Sequence, residues 1–530
     1  MTFETLSAND VQRMLSDGDE LALIDVREEL LFSKNHLLHA RCLSLSRLEL
    51  KIARLVPRRS VRIVLCDAND GLSERAAQVL AKNGYTNIFI LKGGVESWAD
   101  AGLEVFSGVN VPSKAFGEFV ERTSETPSIE AHALYRLLEE KSDVVILDSR
   151  PHEEYSHASI PTAINVPGAE LVLRVRDLVP SPDTRVIVNC AGRTRSIIGA
   201  QSLIDAGLPN PTFALRNGTM GWSLAGLECE PGRRQFPGRP SDASVAWATT
   251  AAERVRQRIG VQHIDVCTLD RFRSEMNERT LYILDVRDTA EYERGHIADA
   301  ISAPGGQLIQ ATDQYVGTLN ARLVIVDDLT VRAVMTASWL VRMGWKEVFV
   351  LSEVGNEVGW PAPQVLGTYQ DLQAMIDPPS LRALVDAGNA TVIDLSLSRV
   401  YRAGHIPNAW FAIRSRLRQA LDQIKMTGEN LVLTSEDGIV AGLAVEEARS
   451  LSELSVLYLA GGNAAWAAAG YPLEISIGNF ADKPVDVWLK PHERSINTRA
   501  EMSKYLTWEV GLLESIDRDG TCDFRTIGMK

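Results

Sequence analysis

Cys190 stands in the run Val186-Ile187-Val188-Asn189-Cys190-Ala191-Gly192-Arg193-Thr194-Arg195-Ser196. A β-branched apolar stretch ends at the cysteine, a short polar loop follows, and a helical pattern begins at about Ser196. A thiol held at such a strand end, beside two arginines, has surroundings that can turn it into a nucleophile. The other cysteines, Cys42, Cys66, Cys229, Cys267 and Cys522, are scattered without a C-x-x-C pair or a histidine cluster, so neither a disulfide framework nor a zinc site is expected. Cys42, Cys229 and Cys267 read as small buried hydrophobes. Free thiols of this kind fit a reducing cytoplasm.

The elements that must position Cys190 recur. A unit of about 100 residues is present four times, as expected of an internal repeat. Each copy has an apolar strand ending in Asp: Asp25, Asp148, Asp285 and Asp394. An aromatic-then-turn segment follows, clearest in Glu291-Tyr292-Glu293-Arg294-Gly295-His296-Ile297 and Tyr401-Arg402-Ala403-Gly404-His405-Ile406-Pro407. The second copy carries Glu154-Tyr155 and Ser159, where the others carry histidine; the first has Phe32 and His36. A turn and a tryptophan close each copy, at Trp98, Trp222, Trp360 and Trp466, and the Asp-to-Trp spacing is 73, 74, 75 and 72 residues. Such constancy predicts superimposable domains. In the second copy, residues 144–147, 185–189 and 212–215 read as strands and 197–206 as a helix. This alternation predicts an α/β fold, each copy a mainly parallel sheet with helices on both faces. Ligands in such sheets bind at the carboxyl ends of strands, which is where Cys190 lies.

The expected domains are 1–108, 124–232, 260–364 and 368–476. A Pro/Gly/Arg connector from Pro231 to Pro240 and a helix over 246–258 fill a linker at 233–259. A tail at 477–530 contains an amphipathic helix over 499–515, expected to dock on this chain or on a second subunit. At 530 residues, 45% hydrophobic and 23% charged, the chain is a multidomain globular protein. Its net charge of −14 gives no footprint for nucleic acid or an anionic membrane. No signal peptide and no apolar run long enough to span a bilayer is read from it. Nothing in the sequence fixes an oligomeric state.

The repeat resembles the rhodanese (sulfurtransferase) domain. The resemblance rests on the D-x-R strand end, the E-Y/F-x-x-G-H-I segment, the Cys-headed loop and the closing G-G-x-x-x-W, and covers nearly all of the chain except linker and tail. It implies that Cys190 heads an anion nest of inward-pointing N–H groups. Ala191 and Gly192 let the backbone curl around the sulfur, and the following helix N-terminus favours negative charge. The thiol pKa is then expected to fall from ~8.5 to roughly 3.5–7.5. Cys190 would attack the outer sulfur of thiosulfate, hold it as a persulfide, and pass it to a thiophilic acceptor such as cyanide or a thiol. No cofactor or metal is implied. The N–H groups of Ala191, Gly192, Arg193, Thr194, Arg195 and Ser196 would stabilise the anions. Arg195 would brace the loop or touch the anion, and Arg193 would point outward and recruit the donor. Asp148 and Arg150 would form a supporting salt bridge, and Gly218 and Trp222 would serve turn and packing.

The matching loop heads in the other copies are Asp67, Asp327 and Ser435. Carboxylates cannot carry sulfur, no base is evident near Ser435, and Cys66 lies one place before the matching position, so three copies are expected to be silent. Related dual-specificity phosphatases have five residues between Cys and Arg; here there are four, which suits sulfur better than phosphate. The loop also lacks the C-G-[ST]-G-V-[T] pattern of mercaptopyruvate enzymes, which favours thiosulfate over mercaptopyruvate. Glutathione persulfide remains an alternative donor. A non-catalytic binding or scaffold role is the competing reading.

Overall fold

The computed structural model describes residues 2–232, 235–362, 364–476, 478–494 and 498–526. Arg233 and Arg234 of the connector lie outside them. Four sheets are present, and every strand pairing within them is parallel. Numbered within its own copy, each sheet has the order 1-5-4-2-3, and the fourth adds a sixth strand, Asn479–Phe480, at its edge. The central strands of the second copy, Val144–Asp148 and Arg185–Asn189, are buried over most of their length, as a sheet covered on both faces requires. The strand Thr212–Leu215 pairs beside them, and the helix after Cys190 runs Thr194–Asp205, beginning three residues before the 197–206 read from the sequence. The linker helix is longer than its apolar pattern, Asp242–Ile259, because the Ser241 hydroxyl caps it by accepting from the Ser244 N–H.

The third copy departs from the others at its end. Gly94–Asp100, Gly218–Leu224 and Gly462–Ala468 are short helices whose tryptophans are buried and donate to the carbonyls of Glu104, Glu228 and Pro472. After Leu351 no such helix forms, and Trp360 is 56% exposed, lying against Tyr292. The conserved spacing of the third copy therefore does not produce the same closing turn.

A helix absent from the sequence reading, Val111–Ser124, bridges the first two copies. Its signal was available: Val111, Ala115, Phe116, Phe119 and Val120 recur at helical spacing, with Pro112 in the first turn. Phe116 is fully buried against Trp339 of the third copy and Phe524 of the tail. The second and third copies share one continuous apolar core with this helix and with Ala248, Ala251, Ala252 and Val255 of the linker helix. Arg332, 1% exposed on its side chain, reaches from the third copy to Glu170 of the second at 2.7 Å. The first and fourth copies meet through Arg414 and Glu49 at 2.8 Å, and through Glu28, which accepts from the hydroxyls of both Ser46 and Ser415.

The tail helix is Thr498–Asp519 and docks on this chain. Leu512 and Ile516 pack with Leu38, Phe106, Val111 and Ala115, and Met502 and Leu506 pack on Met220. The bridging helix is thus the common support of the first copy, the second, the third and the tail. Phe116→Ala should remove about 3–5 kcal/mol of packing and lower the thermal unfolding midpoint of the whole chain. A midpoint unchanged by calorimetry would show that the helix does not hold these units together.

Candidate active site

Cys190 follows the last residue of the strand Arg185–Asn189 and is 2% exposed. The strand end is fixed from below. Asn189 donates through Nδ2 to Asp148 Oδ2 at 2.9 Å, and Arg150 clasps the same carboxylate through Nε at 2.9 Å and Nη2 at 2.7 Å. Arg150 Nη2 also donates to the Ala158 carbonyl at 2.6 Å. Asp148 and Arg150 therefore act on the loop's foundation, and both are buried. The same clasp recurs as Arg27 on Asp25 and Arg287 on Asp285, away from any cysteine loop head, which marks it as a device of the fold.

The loop is held from the side by the closing turn. The Thr219 N–H donates to the Cys190 carbonyl at 2.8 Å and the Met220 N–H to that of Ala191 at 3.0 Å. Gly218 has φ +55°, and a Cβ there would lie 2.2 Å from the Cys190 carbonyl oxygen. Only glycine lets this turn press on the loop.

The Ser196 hydroxyl and N–H both donate to the Arg193 carbonyl, at 2.8 and 3.1 Å. Arg195, with Ser196 and the Gly192 N–H, favours a negative charge on the Cys190 sulfur. Burial is the larger effect, however, and it pushes the thiol above its ordinary range. The expected depression of the thiol is thus not found in the resting enzyme. Removing the sulfur from water costs its anion more than the nest and one arginine return.

The two arginines have different fates. Arg195 is braced by Glu154 at 2.8 Å and by Gln307 of the third copy at 3.1 Å, with the Cys190 sulfur in its field. Lys490 of the tail shares Glu154 at 3.1 Å. Although burial opposes its charge, Arg195 and Lys490 hold Glu154 well below the usual carboxylate range. Arg193 does not point outward. It is 8% exposed, bound to Glu118 at 2.6 and 2.7 Å, to Glu121, and to Asn217 at 3.2 Å. Glu118 and Glu121 stand three residues apart on the bridging helix, on one face of it, so the reason for the correction is that unread helix. Arg193 is a clamp between helix and loop.

Several residues that sequence reasoning missed line the space above Cys190. Lys114 on the bridging helix is 2% exposed and lies 5.5, 4.9 and 4.9 Å from the ring centres of Trp488, Tyr505 and Trp508. Burial pushes Lys114 down and Glu509 up, while each pulls the other back toward its charged form. Glu509 accepts from Thr194 Oγ1 at 3.2 Å, and its Oε2 has no hydrogen-bond partner. Only a tail helix with Tyr505 and Glu509 four residues apart could have announced this, and nothing in the sequence tied that helix to the Cys190 loop.

In the other copies the nest is filled by its own head residue. Asp67 accepts from the N–H groups of Asn69 and Ser73, both at 2.9 Å. Asp327 accepts from the N–H groups of Arg332 at 2.8 Å and Ala333 at 3.4 Å, and from Arg332 Nε at 2.8 Å. Ser435 Oγ accepts from the Ala441 N–H at 3.3 Å. Cys66 is fully buried beneath the first loop, its thiol near the Ile24 carbonyl at 3.6 Å and pushed far up by burial.

These loops on these sheets define the class. The family model described as the rhodanese-like domain matches residues 7–101, 130–225, 268–353 and 377–469. The chain belongs to the rhodanese-like family, with four tandem copies of its domain. It is similar over 99% of its length, at 46% identity and a TM-score of 0.96, to the whole of a thiosulfate sulfurtransferase from Pseudomonas aeruginosa of known crystal structure. Shorter similarities link it to the HTH-type transcriptional regulator Rv0324 of Mycobacterium tuberculosis, 34% identical over 93 residues, and to the uncharacterized protein YqhL of Bacillus subtilis, 43% identical over 76 residues. The matched segments are 18% and 14% of this chain and span 40% and 59% of those two curated relatives.

A thiol raised by burial reacts through the minor thiolate, so its reactivity climbs with pH until the raised value is passed. Alkylation of Cys190 by iodoacetamide, followed by peptide mass analysis, should accelerate steadily from about pH 7 to about pH 9, and Arg195→Met should move the rise to higher pH. A rate independent of pH over that range would contradict the account.

Proposed function

We propose that the protein is a sulfurtransferase that carries a sulfane sulfur from thiosulfate, through a persulfide on Cys190, to a thiophilic acceptor such as cyanide. The observation that carries this reading is the filling of the nests. Of four equivalent loop heads, three hold oxygen ligands that occupy their own N–H groups, and one holds sulfur. The similarity to a full-length thiosulfate sulfurtransferase supports the same reaction class.

In the first half-reaction the Cys190 thiol gives up its proton to solvent and the resulting thiolate attacks the outer sulfur of thiosulfate. A new S–S bond forms, the sulfur–sulfur bond of thiosulfate breaks, and its electron pair leaves with sulfite. In the second, the acceptor's lone pair takes the outer sulfur and the Cys190 thiolate is regenerated; with cyanide the product is thiocyanate. Net charge is conserved in both steps, so no redox partner is needed. The backbone N–H groups of Ala191 to Ser196 stabilise the persulfide anion, and Arg195, Lys114 and Lys490 lie around the space the dianion enters. Binding a dianion beside a neutral thiol brings in no third negative charge, so the raised resting thiol keeps the empty site from repelling its donor.

Asp148, Arg150 and Gly218 position the loop, and the copies headed by Asp67, Asp327 and Ser435 are scaffold. The third copy lends Gln307 to Arg195. The described cysteines are all free, which supports a reducing, cytoplasmic setting.

Cys190→Ser should abolish thiosulfate:cyanide transfer, whereas Cys66→Ser should retain it within about threefold, as expected for a thiol outside the nest. Turnover that survives in the Cys190 variant would overturn the site assignment.

A further inference from the structure

The space above Cys190 is narrowed by a segment that belongs to none of the four copies. Trp488, Lys490, Tyr505 and Glu509, all from the C-terminal tail, line it together with Lys114 and Met220. The cavity, which opens to solvent, is about 80 Å³, well under the roughly 300–1,000 Å³ of pockets that take drug-sized ligands. Tyr505 forms its ceiling: its Cε1 would be 3.7 Å from a Cβ on Gly192, and its hydroxyl feels the charge on Cys190.

This roof is anchored at both ends. The backbone N–H of Trp488 donates to the Glu29 carboxylate of the first copy at 3.0 Å, and Lys490 is paired to Glu154 of the second. Arg499 donates to the carbonyls of Ser223 and Leu224 at 3.2 and 2.7 Å, and Arg518 pairs with Glu104 at 2.7 Å. Between these points Lys114 is held among the rings of Trp488, Tyr505 and Trp508, so the aromatic ceiling and the cation beneath it are one packed unit. A thiol carried on a peptide must bring its backbone past that unit to reach a sulfur that is 2% exposed. A compact anion need not, and the space it enters is lined by the cations Lys114, Lys490 and Arg195, against the one carboxylate of Glu509.

We infer that Tyr505 and Trp488 determine acceptor size: the outer sulfur on Cys190 passes to compact anions such as cyanide or sulfite and is withheld from peptide-borne thiols such as glutathione. This rests on the Cys190 persulfide proposed above. In the favoured step the anion's lone pair forms the bond to the outer sulfur, the S–S bond to Cys190 breaks, and its electron pair returns to Cys190 as thiolate. The disfavoured step is the same chemistry with a bulkier nucleophile, so the selection is steric.

The test is single-turnover discharge. Full-length protein is loaded with thiosulfate, desalted, and mixed with cyanide or with glutathione at matched concentrations. Loading is measured first, as the mass gained by the Cys190 peptide. The wild type should discharge to cyanide at least about 100-fold faster than to glutathione, a size discrimination of the order that a well-shaped pocket achieves. Tyr505→Ala and Trp488→Ala should each narrow that ratio at least about tenfold by speeding discharge to glutathione, and Tyr505→Phe should keep it, because bulk and not the hydroxyl is at work. Absence of loading on Cys190 overturns the underlying function. Normal loading with equal discharge to both acceptors, or with a ratio unmoved in both alanine variants, overturns the roof alone.

Discussion

Everything in this molecule is arranged around a ring of backbone N–H groups that must be given an acceptor. A parallel strand that ends in a tight loop and turns into a helix aims backbone N–H groups at the side chain heading the loop, as those of Ser73, Arg332 and Ala441 are aimed. Buried donors of that kind cost free energy unless they are met. The first, third and fourth copies meet them with oxygen atoms from Asp67, Asp327 and Ser435, and the loops become static plugs. In the second copy the head atom is sulfur, a weak acceptor as a thiol and a good one as an anion. Arg195 and the Gly192 N–H favour charge on that sulfur against its burial, and the persulfide anion proposed for it would bring that charge.

The rest of the chain holds that single loop from several sides. The Asp148–Arg150 clasp holds the strand end, the Gly218 turn holds the loop from the side, and Arg193 is pinned to the bridging helix by two carboxylates. Buried pairs of this kind are weak evidence of stability but strong constraints on position. The third copy contributes Gln307 and a shared core, and the tail contributes the ceiling. Within that frame Cys190 is 2% exposed, and the cost of that burial is its raised resting thiol.

Most of the fold was legible because it repeats. The Asp-to-Trp spacing, the alternating apolar runs and the strand Arg185–Asn189 can be read directly from the residues. The placement of Cys190 at a strand end and of the Asp148–Arg150 pair was legible for the same reason, since it is local to one repeat. What was not legible lies between repeats. Arg193 was misread because its partners, Glu118 and Glu121, sit on a helix about 70 residues away whose 3.6-residue pattern fell in an apparent gap. Lys114, Tyr505 and Glu509 reach the site only through the docking of the tail, a long-range contact that no spacing records. Trp360 shows the converse limit: its spacing matches the other copies, but without the closing helix the residue stays exposed.

The central claim is that one sulfur atom resides on one cysteine. It is tested most directly by treating the purified protein with thiosulfate, removing the excess, digesting without reductant, and mapping the added mass across all six cysteines. The account predicts a gain of one sulfur atom on the peptide that contains Cys190, with every other cysteine peptide unchanged, and loss of that gain on addition of cyanide. Added sulfur on Cys66 or any other cysteine, or an unmodified Cys190 after treatment, would contradict it.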